Sequence, residues 1–108
     1  MNILFEGLTV PDNAKLAQNA VISRLQSLGY KCVSEYPVED NGNNNPGRID
    51  VVAINGDEKL AIEIDRHSPR KKSVHKLKLM SEYKKLILLR GYGNGEVDGI
   101  QIMVIPTH

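Results

Sequence analysis

Two short runs of this chain place acidic side chains where they could act together. In Lys59–Asp65 (KLAIEID) side chains alternate across a strand, so Ala61, Glu63 and Asp65 share one face and Leu60, Ile62 and Ile64 the other. In Arg48–Ile54 (RIDVVAI), Arg48, Asp50, Val52 and Ile54 form one set, and Ile49, Val51 and Ala53 the opposite one. Asn55-Gly56-Asp57-Glu58 separates the runs, and Asn-Gly between β-rich stretches signals a hairpin. A loop over residues 55–58 sets Asp50 directly opposite Glu63, whereas an Asn55-Gly56 loop sets it opposite Ala61. Either register leaves Asp50 and Glu63 on one side of the sheet, with Cβ atoms about 5 to 8 Å apart.

Carboxylates this close repel one another unless they are solvated, partly protonated or neutralised by a cation. Oxygen ligands suit Mg²⁺ or Mn²⁺, which retain waters and can activate one for attack on a phosphodiester. The plainer alternative is a set of solvent-facing acids at a strand end, balanced by Arg48 and Arg66. Directly after the acids comes a basic segment: Arg66, Arg70, Lys71, Lys72, Lys76 and Lys78 occur before Ser81 with no Asp or Glu among them. A local positive field is therefore available on a chain whose formal net charge is only +1. The segment reads as a helix with Val74, Leu77 and Met80 facing the sheet, Lys71 and Lys78 on one flank, and Lys72 and Lys76 on the other. Its first turn, with Ser68, Arg70, Lys71 and Lys72, combines free N–H groups with positive side chains and suits a phosphate. Solvation of a polar face would also account for these charges.

The surrounding elements follow from periodicity and punctuation. Residues 12 to 29 read as the first helix, with Ala14, Ala17, Val21, Leu25 and Leu28 at helical spacing, Gly29 as its stop, and Lys15, Gln18 and Arg24 on its polar face. Tyr30 to Tyr36 reads as a strand ended by Pro37, and EDNGNNNPG (39–47) as a polar loop. After the hairpin, Ser68 is placed to cap a helix with Pro69 at its first position, running to about Tyr83. Leu86–Arg90 reads as a buried strand, GYGNG (91–95) as a loop, and Ile100–Ile105 as the last strand. The spaced glycines do not form a phosphate cradle, because a strand rather than a helix follows them. The order α-β-β-β-α-β-β implies a mixed sheet with helices packed on it.

Pro46-Gly47-Arg48-Ile49-Asp50, then Glu63-Ile64-Asp65, then a basic helix and the LILLR strand form a pattern that resembles the PD-(D/E)XK nuclease superfamily. The resemblance covers about residues 46 to 90, and the first helix also fits the family's α-β-β-β-α-β core. It implies a restriction-endonuclease-like α/β fold and a metal-dependent nuclease hydrolysing DNA phosphodiester bonds. Asp50 and Glu63 would then be Mg²⁺ or Mn²⁺ ligands, and Asp65 a third ligand or a water-orienting group. Arg48, Arg70, Lys71, Lys72 and Lys76 would contact DNA. One position departs from the pattern, since Asp65 stands where the family usually has Lys; Arg66, or Lys72 or Lys76 from the helix, would have to supply that charge. A non-catalytic nucleic-acid-binding or assembly protein on the same fold is the alternative, and a homodimer would let a domain this small reach two strands.

The remaining composition bounds the answer. A chain of 108 residues suits one domain, 1–108, and no apolar run approaches the roughly 20 residues of a membrane span. The N-terminal stretch lacks the pattern of a secretory signal, and the single cysteine, Cys32, has no internal partner, which together point to a cytoplasmic location. His67 and His75 lack the spacing and companion ligands of a zinc site.

Overall fold

The structure is a computed structural model that describes residues 3–38 and 47–108; the Asn-rich part of the loop before the first acidic run lies outside them. The elements, in chain order, are α1 (Ala14–Ser27), β1 (Lys31–Val38), β2 (Gly47–Asn55), β3 (Glu58–Asp65), α2 (Lys71–Lys78), β4 (Lys84–Arg90) and β5 (Gln101–Ile105). They form one five-stranded sheet in the order β1-β2-β3-β4-β5. β1, β2 and β3 are antiparallel neighbours, whereas β3, β4 and β5 are parallel. The mixed sheet flanked by helices follows from the order of elements in the sequence.

The two helices cover opposite faces. Ala17, Val21 and Leu25 of α1 pack with Val51, Ala53, Leu60, Ile62, Leu86 and Leu88, where Phe5 and Val10 also join from the N-terminal segment. Leu77 of α2, with Met80 beyond its end, packs with Val52, Ala61, Ile87 and Leu89. Alternate residues of the central strands thus feed separate cores, as the period of two requires. The link from β4 to β5 contains no helix, and Ile100 and Val97 carry it across the α2 face.

Several boundaries shift from those the sequence suggested. α1 starts at Ala14, two residues after the expected start, because Asn13 caps it, its side chain accepting a bond from the Leu16 N–H at 3.0 Å. β1 runs through Pro37 to Val38, which an edge strand tolerates because one side of its backbone needs no ladder partner. α2 begins at Lys71 and ends at Lys78, well inside the expected Pro69–Tyr83 span, and Arg70 rather than Ser68 is its N-cap. The hairpin turns at Gly56-Asp57, with Gly56 at φ +60°, the positive value that the first central residue of a type II′ turn requires. Among the described residues no helix is long and apolar enough to cross a membrane.

Candidate metal and nucleic-acid site

The β2–β3 ladder runs from Asn55↔Glu58 to Val51↔Ile62. Asp50 and Glu63 come next, directly opposite each other, and here side chains replace the ladder. The Asp50 N–H donates to Glu63 Oε2 at 2.8 Å, and the Ile64 N–H donates to Asp50 Oδ2 at 2.8 Å. The Asp50 carbonyl accepts from Gln18 Nε2 of α1 at 2.7 Å. β2 stays with β1 as far as Gly47 while β3 stays with β4 as far as Asp65, so the strands separate in this region. Buried backbone groups released by such a fork need new partners, and two carboxylates and an amide supply them.

Strand β2 also turns over here. Val51 packs on the α1 side but Ile49 on the α2 side, so the strict alternation read from the sequence fails at Asp50. Across from Asp50 on β1 lies Glu35, between the pairs Ser34↔Val51 and Tyr36↔Ile49. Its φ of +53° is uncommon for a residue with a side chain. Glu35 thereby becomes a third acid in the row Glu35–Asp50–Glu63, one that only the pairing register reveals.

Glu63 has a side chain with 0% exposure, and the charge beside it comes from α2. Lys76 Nζ lies 2.6 Å from Glu63 Oε1 and donates to the Arg48 carbonyl at 2.9 Å. The Glu63 contact is a close ion pair, and the lysine ammonium is the charge that this buried carboxylate meets. Space for the lysine stem comes from Gly47, where a Cβ would lie 2.6 Å from Lys76 Cδ. Burial, with repulsion from Asp50 added, pushes the Glu63 carboxyl up to about 7, against the pull of Lys76 and the Asp50 N–H. Asp50 is also raised, chiefly by burial, while the Ile64 N–H and Lys76 act in the opposite direction and Glu35 adds repulsion.

With both acids ionised, the single ammonium of Lys76 leaves the group a net negative charge, which a divalent cation would neutralise. Asp50 and Glu63 would hold the ion, a set of oxygen ligands that suits Mg²⁺ or Mn²⁺ retaining several waters. No cluster of three or more His, Cys, Asp or Glu residues shaped for a metal occurs among the described residues.

Asp65 does not join the pair, which corrects the expectation of three carboxylates around one ion. Its Oδ2 accepts from the Arg70 N–H at 2.9 Å, and its Oδ1 accepts from Arg70 Nε at 3.0 Å and Ser73 Oγ at 2.8 Å. It is buried, and it serves as the acceptor for the first turn of α2, where the N-cap Arg70 has no capping side chain of its own. Arg66 is exposed outside the hydrogen-bonded set, so the cation beside the acids is Lys76. Arg48, Lys71 and Lys72 are exposed; Arg70 is tied to Asp65 but keeps 60% of its side chain in solvent. Lys76, expected on a phosphate-facing flank, instead points inward with 19% of its side chain exposed. Gln18, expected on the polar face of α1, is buried against β2. Gln18 stands four residues after Ala14, three before Val21 and seven before Leu25, so helical spacing already set it on the stripe that faces the sheet.

No protein-family model matches the sequence, and no curated protein matches it. Among solved structures, the chain is similar to the crystal structure of AF1548, described as a protein of unknown function. The TM-score is 0.66 at 18% identity, over 85% of this chain and 58% of that one. This likeness concerns the α/β fold, and the chain spans little more than half the length of that neighbour.

Proposed function

We propose that this chain is a metal-dependent nuclease acting on DNA, built on a restriction-endonuclease-like α-β-β-β-α-β core of the PD-(D/E)XK type. The observation that supports it most is the meeting of Asp50, Glu63 and Lys76 where β2 and β3 part. A buried and a half-buried carboxylate from facing strands and one ammonium converge there, although the lysine comes from α2 and not from the position after Glu63-Ile64. Asp65, at that position, holds the start of α2 and so indirectly the placement of Lys76 five residues further on. A bound Mg²⁺ or Mn²⁺ would polarise the phosphodiester and lower the pKa of a water for attack on phosphorus. Lys76 Nζ, fixed by the Arg48 carbonyl and Glu63, offers positive charge to the phosphate oxygens as they become more negative. Arg48, Arg70, Lys71 and Lys72 are exposed and would hold neighbouring phosphates. Cutting both strands of a duplex would call on a second copy of the chain.

The test is direct. Supercoiled, linear and single-stranded DNA are incubated with the protein in Mg²⁺, in Mn²⁺ and in EDTA, and the products are resolved on gels. The proposal expects cleavage of at least one form with metal and none in EDTA. Tight binding without cleavage of any form would replace it with the non-catalytic nucleic-acid-binding reading.

A further inference from the structure

The ends of β3 and β4 leave the sheet at the same edge, in register, with Asp65 beside Leu89. Two residues beyond Asp65 stands His67, and two beyond Arg90 stands Tyr92. Their rings stack, with centroids 3.9 Å apart and planes inclined by 20°. The stack has one covered face and one open face, since Tyr92 retains 68% of its surface in solvent. Of the aromatic residues described, Phe5 is buried and the other tyrosines are at least partly covered, so Tyr92 is the one presented outward.

The glycine-rich loop holds this ring in place. Gly91 takes φ +84°, and its N–H bonds the Ile105 carbonyl at 2.8 Å. The Tyr92 N–H bonds the Arg90 carbonyl at 3.1 Å. A Cβ on Gly93 would run into the His67 carbonyl, and one on Gly95 into the Pro69 ring. The spaced glycines therefore allow the loop to lie directly on the 67–69 segment, which brings Tyr92 over His67. An exposed aromatic ring, held on a segment whose His67 lies between the exposed Arg66 and Arg70 in sequence, has the chemistry that recognises a nucleobase beside its phosphate.

We propose that the His67–Tyr92 stack is a platform for an unpaired nucleobase, which lies on the open face of Tyr92 at the same sheet edge as Asp50 and Glu63. The inference rests on the nucleic-acid reading above and adds that the substrate is single-stranded or has an unpaired end. A base in a single strand and a frayed base at a duplex end share this chemistry.

Fluorescence anisotropy in EDTA separates the cases, using the full chain and labelled thymidine oligonucleotides with and without an abasic run. A blunt duplex and a duplex with a short overhang complete the set. Wild type should bind the base-bearing strand more tightly than the abasic one. Tyr92→Ala should weaken binding to the base-bearing strand by about 5- to 100-fold and erase its advantage over the abasic one, whereas Tyr92→Phe should keep both. Tyr92 dependence confined to the single strand and overhang supports a single-strand substrate, and equal dependence on the blunt duplex supports a frayed end. If wild type binds base-bearing and abasic strands equally, the platform is wrong while the nucleic-acid reading stands. If wild type binds no DNA at low salt, both fail. Thermal melts of the two Tyr92 variants exclude unfolding as the cause, and Tyr92→Phe acting like Tyr92→Ala despite a normal melt would also overturn the platform.

Discussion

Replacing Glu63 by Gln should stabilise the metal-free protein at alkaline pH, the reverse of what loss of a structural ion pair would do. Burial and Asp50 raise the Glu63 carboxyl from 4.5 to about 7. The difference, roughly 2.5 pH units at ~1.4 kcal/mol each, makes ionised Glu63 an approximately 3 kcal/mol burden on the folded state. Between pH 4.5 and 7 the folded chain retains a proton that the unfolded chain has released, so stability falls as pH rises through that window and is level above it. Gln carries no charge at any of these pH values and can still accept from the Asp50 N–H. Its NH₂ group, however, would face Lys76 Nζ, donor against donor, at a penalty of about 1–3 kcal/mol. The net gain expected at pH 8 in EDTA is about 1 kcal/mol, a rise in Tm of roughly 4 °C. At pH 5, where wild-type Glu63 is protonated in the fold, that gain should vanish. Excess Mn²⁺ should stabilise wild type by about 2.7 kcal/mol at a hundredfold over Kd, read as a higher Tm, and leave the variant nearly unmoved. Thermal melts at both pH values, with and without Mn²⁺, read all of this. A loss of more than about 1 kcal/mol for the variant at pH 8 in EDTA would show that Glu63 is a structural partner of Lys76, and the reasoning would fail.

Other expectations follow from the same geometry. Lys76→Met removes the ammonium beside Glu63 and should lower single-turnover cleavage by about 100-fold or more. Gly47→Ala puts a Cβ into the Lys76 stem, so cleavage should fall toward the Lys76→Met rate with a smaller drop in Tm. Asp65→Ala takes the acceptor from Arg70 and Ser73 and should destabilise the fold by about 1–3 kcal/mol in urea melts, with Mn²⁺ affinity reduced far less than by Asp50→Asn. Because Glu63 must lose its proton to bind a cation, Mn²⁺ affinity in calorimetric titrations should fall as pH drops below about 7. An affinity flat from pH 8 to 5 would place the ion elsewhere.

Much of the hairpin was legible because strand parity is rigid. Both registers read from the sequence brought Asp50 near Glu63, and the observed one makes them direct neighbours, although alternation along β2 holds only as far as Val51 and breaks at Asp50 itself. The fate of Asp65 was not legible, since it depends on where α2 starts. Ser68-Pro69 offered a capping pattern, but the helix begins at Lys71, which turns the Arg70 N–H and Ser73 hydroxyl toward Asp65. Lys76 was one of three candidates for the missing charge, and the parting of β2 from β3 decides among them by giving it an inward partner, Glu63. The same parting leaves the Asp50 carbonyl to Gln18. Glu35 could be found only from the β1–β2 register, because nothing in its local sequence marks it.

The central claim is that Asp50 and Glu63 form a cation site that turns over a phosphodiester. Single-turnover cleavage of end-labelled DNA by wild type and Asp50→Asn, side by side in Mn²⁺ and after EDTA, tests it most directly. Wild type should cleave in metal and Asp50→Asn should not, with both proteins folded by thermal melt. Cleavage that persists in the folded Asp50→Asn protein, or wild type inert toward every DNA form in Mn²⁺, would contradict it.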